Sequence, residues 1–272
     1  MKKIVVASDS KKFTSLVMHL LSQLHEEEPL FVVGGFSHSL NYAKLIESTT
    51  QPYVGLVVDL VEQDRHAVDE NILLFEHYCH HNHIKYRVHE EDHAFEIDNL
   101  VNESRFADLL ISNGNLLNKN QANQRSTIYI KQALHKAECP VLLVPEDYKP
   151  FKRIAITYDG KKESMFALKQ FCYLFPQFSS LPTEIVYLSE DDDEVPKLSL
   201  LKEYVAQNFS NINIEKIHLH PKNDLASWAS EKKEMLVIAG SYSRSGLFNS
   251  IIDSFIDPIL EMQQLPVFIT HP

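Results

Sequence analysis

The segment Arg153-Ile154-Ala155-Ile156-Thr157-Tyr158-Asp159 decides the fold, because Lys3-Ile4-Val5-Val6-Ala7-Ser8-Asp9 repeats its pattern near the start of the chain. In both segments an uninterrupted run rich in β-branched residues ends in an aspartate. An apolar run without alternation is typical of a strand that is covered on both faces, as in a parallel sheet. We therefore expect each aspartate just beyond the carboxyl end of a buried strand.

In both halves of the chain this strand is followed by an apolar stripe with the 3.6-residue period of an amphipathic helix. The first stripe runs from Phe13 to Leu24 and the second from Met165 to Phe175. Strands then alternate with helices in the same order in both halves, which predicts parallel sheets with right-handed crossovers. The expected fold class is α/β, with two tandem domains at residues 1–145 and 151–272, each a five-stranded parallel sheet flanked by helices.

The remaining predicted elements follow the same repeat. Further strands are expected at 30–33, 85–88, 108–112 and 140–144, and at 184–188, 213–217, 235–239 and 266–270. Further helices are expected at about 68–82, 95–105 and 125–137, and at about 196–209, 223–232 and 250–263. Residues 40–63 have no counterpart in the second half. Their apolar run Val54–Val58 is compatible with an additional strand or with a helix followed by a strand.

The composition restricts the class of protein. The chain has 272 residues, with 26 Lys plus Arg against 37 Asp plus Glu, and the formal charge of −11 repels nucleic-acid phosphates and anionic lipids. The apolar run near the amino terminus is too short for a signal peptide, and no stretch approaches the roughly 20 apolar residues of a membrane helix. Three cysteines without C-x-x-C spacing indicate neither a disulfide framework nor a thiolate zinc site. We expect a cytoplasmic protein with no nucleic-acid or membrane partner.

Several motifs, taken together and in order, carry a resemblance to a known family. They are the aspartate after the first strand, the strand Leu236–Ser241, the segment Ser245–Phe248, and the closing strands entered through Cys139-Pro140 or Leu265-Pro266. The chain resembles the universal stress protein family over nearly its whole length. The resemblance implies a tandem member with Rossmann-like domains of the adenine nucleotide α-hydrolase type, and a role in the stress response.

This family has nucleotide-binding and non-binding branches, and the resemblance also implies where a nucleotide would bind. In the binding branch, glycines after the fourth strand bring backbone N–H groups close to phosphate oxygens. Gly240 matches the first glycine, but Ser243 takes the place of the second and Asp253 precedes Ser254 where Gly-Ser is expected. ATP is the candidate cofactor. The candidate binding residues are Asp9, Asp159, Gly240, Ser241, Gly246 and Ser254.

The first half departs further from the binding pattern, with Asn113-Gly114-Asn115 at the first glycine, and the whole chain has only seven glycines. The two strand-end aspartates also have a second interpretation, because aspartate commonly caps the helix that follows. We favour the cap for Asp9 and Asp159, a role compatible with a nearby ligand. No Gly-x-Ser-x-Gly elbow, Walker loop or Gly-x-Gly-x-x-Gly motif is present, so no catalytic residue is assigned and an enzyme is not favoured.

The chain has 14 histidines, and four of them fall within residues 77–83. On a helix His77 and His81 are spaced i and i+4, so both imidazoles could reach one zinc or nickel ion. No acidic residue completes a recognised metal motif, and we expect surface histidines without a resident metal. The prediction is that protein purified through ordinary buffer exchange carries no stoichiometric zinc.

Three functions remain open on the sequence. The favoured one is a non-enzymatic stress-response protein that acts through its folded surface, with the two halves packed as a pseudo-dimer and a homodimer formed through Val141–Val144 or Val267–Ile269. The second is an adenine-nucleotide sensor that uses the second half. The third is a phosphorylation-regulated receiver, which needs a pair of acids after the first strand and a lysine after the fifth. Asp9 stands alone and Pro145 follows Val144, so the receiver is disfavoured.

Overall fold

A computed structural model describes residues 1–8, 15–38, 54–91, 97–113, 136–145, 149–189, 194–218, 224–240, 259, 264–270 and 272. Its strands are β1 Lys2–Ser8, β2 Leu30–Ser37, β3 Lys85–Glu91, β4 Leu109–Asn113, β5 Val141–Val144, β6 Arg153–Tyr158, β7 Thr183–Ser189, β8 Ile212–His218, β9 Met235–Gly240 and β10 Val267–Thr270. The helices in these ranges are α1 Ser15–Glu27, α2 Val54–His81, α3 Ile97–Ser104, α4 Lys162–Leu174, α5 Leu198–Asn208 and α6 Asp224–Ser230. The predicted helices at 125–137 and 250–263 lie almost wholly outside the described residues.

All ten strands belong to one sheet, in the order β3-β2-β1-β4-β5-β10-β9-β6-β7-β8. Within each half the five strands are parallel to one another, as the alternation of strands and helices predicts. The junction between β5 and β10 is antiparallel. The predicted α/β class is confirmed, but the two predicted five-stranded sheets are joined into a single ten-stranded sheet.

The closing strands of the two halves pair with a symmetric register. Phe268 lies opposite Leu142, Val267 opposite Leu143, and Ile269 opposite Val141. β5 also pairs with β4, and β10 with β9, so both hydrogen-bonding edges of each closing strand are used within the chain. Neither closing strand therefore has a free edge for the predicted homodimer contact in this structure, and a homodimer stays a prediction.

Helix α4 packs against β9 and β10 next to this junction. The Phe268 side chain is completely buried, and its ring lies 5.5 Å from that of Phe171 and 5.8 Å from that of Phe175, in edge-on contacts. β5, β9 and β10 are buried along their whole length. Phe171 and Phe175 therefore fill the space between helix and sheet.

Helix α2 is longer than the sequence predicts. It has 28 residues, about 42 Å at 1.5 Å per residue, whereas its counterpart α5 has 11. The run Val54–Val58 forms its first turns and is not the additional strand that the sequence allowed. The helix packs along β2 through Phe75, for which Gly34 leaves room, because a Cβ at Gly34 would lie 2.8 Å from the Phe75 ring. Among the described helices, none is long and apolar enough to cross a membrane.

Candidate functional site

The site predicted in the second half lies where the strand order reverses. β6 continues to β7 and β8 on one side, and β9 lies on its other side. In open parallel sheets, a crevice at the carboxyl ends of such strands is the usual place for a ligand. Asp159 directly follows β6 and Gly240 is the last residue of β9, so the structure places both at this edge of the sheet.

Gly240 is held by the start of helix α4. A Cβ at this position would lie 2.4 Å from the carbonyl carbon of Glu163 and 2.5 Å from both the Glu163 carbonyl oxygen and the backbone nitrogen of Ser164. These are main-chain atoms of the first helical turn, which cannot move aside as a flexible side chain could. Glycine is therefore required here by helix packing, whether or not a ligand approaches.

The Asp159 carboxylate is engaged by the residue at the start of the same helix. Its Oδ1 accepts a hydrogen bond from the Lys161 backbone N–H at 3.0 Å, and its Oδ2 lies 3.3 Å from Lys161 Nζ. Lys161 is itself the N-cap of α4, and its side chain makes no cap hydrogen bond. The predicted capping role of Asp159 is therefore wrong, because Lys161 is the N-cap residue and the Asp159 carboxylate binds its N–H and not one of the first helical turn.

The turn between β6 and α4 is covered by the chain that leads into α5. Gly160 has φ +77°, and a Cβ there would lie 2.8 Å from Pro196 Cβ. The buried Tyr158 hydroxyl donates a hydrogen bond of 2.9 Å to the Pro196 carbonyl oxygen. Burial raises the pKa of Tyr158, and the neighbouring Asp159 carboxylate raises it further. The hydroxyl therefore stays protonated, as a donor, at neutral pH.

In the first half, the strand register places Asn113 where the second half has Gly240. Leu109 of β4 pairs with Ile4 of β1, and Leu236 of β9 pairs with Ile154 of β6. Asn113 follows Leu109 by as many positions as Gly240 follows Leu236, so the two residues correspond. The counterpart of the glycine is therefore a residue with a side chain. The other predicted binding residues, namely Asp9, Ser241, Gly246 and Ser254, lie outside the described residues, so their grouping into a pocket stays a prediction.

A buried histidine–aspartate pair lies at the carboxyl end of β2. His38 Nδ1 is 3.3 Å from Asp64 Oδ2, and the two side chains are only 2% and 5% exposed. The sequence interpretation missed this pair because it began the helix near residue 68. The signal was present, since Val57, Asp64 and Val68 continue upstream the spacing of the buried face of α2.

Solved structures with the same arrangement of elements are known. A universal stress protein from Archaeoglobus fulgidus DSM 4304 matches 99% of this chain and 96% of its own, with a TM-score of 0.68 and 15% identity. A putative universal stress protein from Pseudomonas aeruginosa UCBPP-PA14 matches 100% of this chain and 93% of its own, with a TM-score of 0.56 and 12% identity. The chain has the fold of the universal stress proteins. No family model and no curated protein sequence matches it.

The described histidines of α2 do not form a metal centre. His77 and His81 are exposed, and their rings stack 6.3 Å apart with an interplanar angle of 15°. Across the described ranges, no group of three or more His, Cys, Asp or Glu side chains could hold a metal ion. The predicted absence of stoichiometric zinc stays a prediction for elemental analysis.

The three cysteines of this chain are free thiols whose pKa is raised by burial. Burial raises the pKa of the Cys79 and Cys139 thiols from an ordinary 9.0 to about 12, and that of Cys172 to about 11. All three are free, and Cys79 and Cys139 are buried. A thiol nucleophile needs its thiolate, so neutral pH leaves these groups unreactive in the folded chain.

Proposed function

We propose that the chain is a cytoplasmic stress-response protein that acts through its folded surface by binding a protein partner, and that its nucleotide sites are degenerate. The fold likeness supports the general class. The packing of Gly240 carries the nucleotide part of the proposal, because contact with the backbone of α4 accounts for this glycine without any phosphate. Asp159, whose carboxylate is already bonded to Lys161, supports it further.

The electrostatics at the start of α4 also favour a degenerate site. A helix amino terminus attracts anions through its free N–H groups and its dipole. Here the Asp159 carboxylate already supplies the negative charge at that end. A phosphate would have to displace this carboxylate from the Lys161 backbone N–H and ammonium, and the chain as a whole carries a formal charge of −11.

The partner surface that we propose is the exposed apolar face of α2. Among the described residues, this helix carries five exposed large apolar side chains: Leu56, Val58, Leu60, Leu73 and Leu74. Leu56, Leu60 and Leu74 share one face, because their spacings are close to whole numbers of helical turns. Leu56 and Leu60 lie one turn apart and form the adjacent apolar pair that a partner would cover, whereas Leu74 lies about 21 Å further along the helix.

The first experiment is a calorimetric titration of ATP, with and without magnesium, into the wild-type chain and the Asp159→Asn variant. We expect no saturable heat at millimolar ATP in either protein. Saturable binding at micromolar ATP that Asp159→Asn weakens would instead establish the alternative, an adenine-nucleotide sensor built from Asp159, Gly240, Ser241, Gly246 and Ser254. A variant at Gly240 cannot serve here, because any side chain would collide with α4 whatever binds.

The second experiment tests the surface. The double variant Leu56→Glu and Leu60→Glu places two charges on the exposed face of α2, and Leu200→Glu places one on α5, where the side chain is 63% exposed. In a deletion strain of the source organism, we expect the wild type and Leu200→Glu to restore survival under stress and the double variant to fail. Unchanged melting temperatures are the required control. Full rescue by the stably folded double variant would contradict the proposed surface.

A further inference from the structure

Residues 194–197 cross the turn between β6 and α4 and then enter helix α5. We call them the strap. Lys197, the N-cap residue of α5, adopts the left-handed helical conformation with φ 54° and ψ 33°. A residue with a side chain adopts this conformation at a cost, so the surrounding contacts must stabilise it. Lys197 makes no side-chain cap hydrogen bond, so its conformation must be stabilised by contacts of the other strap residues.

Three contacts hold the strap down. The Tyr158 hydroxyl donates to the Pro196 carbonyl oxygen at 2.9 Å, the Pro196 ring covers Gly160, and the Val195 side chain is 9% exposed within the hydrophobic core. Gly160 accepts the ring only because it lacks a Cβ, which would lie 2.8 Å from Pro196 Cβ and 2.9 Å from Pro196 Cγ. The strap is therefore anchored by a polar contact, a ring contact and a buried apolar side chain.

These contacts lie at the edge of the sheet where a ligand of the second half would bind. Tyr158 is the last residue of β6, at the edge of the sheet where the strand order reverses and where Asp159 and Gly240 also lie. A ligand that used the turn between β6 and α4 would need the space that Pro196 occupies over Gly160. We propose that the strap closes the crevice of the second half, with Tyr158 as its latch, so that the turn becomes accessible only when the strap lifts.

The meaning of this closure for activity rests on the proposed function, because a protein that works without a nucleotide needs no open crevice. The hydroxyl of Tyr158 and the absence of a Cβ at Gly160 keep the strap and the first turn of α5 in place. In that turn the Leu201 backbone N–H donates to the Lys197 carbonyl oxygen at 3.0 Å. Lifting the strap frees this carbonyl and exposes the amide protons of the turn to exchange.

Hydrogen exchange read by mass spectrometry over residues 195–204 tests the latch. Tyr158→Phe keeps the ring and removes only the donor, and we expect about 2- to 10-fold faster exchange in this segment, the factor that corresponds to one hydrogen bond. Tyr187→Phe is the matched control, because this buried tyrosine lies on β7 with its ring 6.4 Å from that of Tyr158. It should exchange as the wild type does.

Gly160→Ala places a Cβ against the Pro196 ring and so disturbs the strap independently of the Tyr158 hydroxyl. We expect it to accelerate exchange in the same segment. Wild-type rates in both Tyr158→Phe and Gly160→Ala would overturn the proposal, as would equal acceleration in Tyr187→Phe. Acceleration confined to the two strap variants would support it. The measurement uses no ligand, so it can fail while the nucleotide titration supports the proposed function, and the reverse also holds.

Discussion

Replacing Gly240 by alanine tests the packing role of this glycine against the start of α4. The added Cβ would lie 2.4 to 2.5 Å from main-chain atoms of Glu163 and Ser164, whereas ordinary contacts of this kind are about 1 Å longer. The helix must therefore move as a unit, together with its contacts to β9 and β10. Overpacking of a core costs about 1–3 kcal/mol, and we expect the upper end, about 3 kcal/mol, because backbone atoms cannot rotate away.

The assay is urea and thermal unfolding followed by far-UV circular dichroism. A loss of about 3 kcal/mol corresponds to a decrease in Tm of about 6–12 °C for a chain of this size. Gly55→Ala is the matched control, because this glycine lies near the start of α2 with no heavy atom within 4 Å of the added Cβ. That variant should keep or slightly raise the stability, by up to about 1 kcal/mol, since alanine favours a helix over glycine.

A Gly240→Ala protein with wild-type stability would refute this reasoning, because α4 would then have space that the structure denies it. The expected result also has a practical consequence for binding studies. If the variant is destabilised as predicted, a loss of ligand binding in any Gly240 variant reports on helix packing and not on a phosphate contact. Variants at Asp159, whose side chain is 26% exposed, avoid this ambiguity.

Three further predictions concern the core. Asp64→Ala removes the carboxylate beside buried His38 and should lower the free energy of unfolding by about 1–3 kcal/mol in urea titrations, with a smaller loss for Asp64→Asn. Phe268→Ala opens a cavity at the junction of the two halves and should cost about 3–5 kcal/mol; calorimetry should show the whole chain unfolding at a lower temperature. Stability should also fall as pH rises from 9 towards 12, by about 1.4 kcal/mol per pH unit for each fully buried thiol, because unfolded cysteine loses its proton while folded Cys79 and Cys139 retain theirs. Cys139→Ala should reduce this slope between urea titrations at pH 8 and pH 10.

The strand content of the chain could be predicted from local patterns. Buried runs such as Ile4–Ala7 and Met235–Ala239 are continuous and apolar, because parallel strands are covered on both faces. The start of α2 was missed, although Val57, Asp64 and Val68 continue the spacing of its buried face upstream. Its first residues include a glycine and several β-branched side chains, whose local preference is not helical, and the packing of the helix along β2 overrides that preference.

The site shows a similar division. The sequence placed Asp159 and Gly240 at strand ends, and both are there. Their physical roles were not predictable, because a contact between a glycine and a helix backbone links segments that are far apart in the chain. The hydrogen bond from Tyr158 to Pro196 was missed for the same reason, whereas the His38–Asp64 pair was missed because the helix was predicted to begin near residue 68.

The sequence by itself determined the repeat, the alternation of strands and helices, and hence a parallel α/β architecture in each half. Each of these depends on the spacing of apolar side chains along a short segment, which is a local property. Only the tertiary structure decided that β5 and β10 join the halves into one sheet and that Pro196 covers Gly160. These features arise from contacts between distant segments, whose free energies depend on shape and distance and leave no periodic signal in the chain.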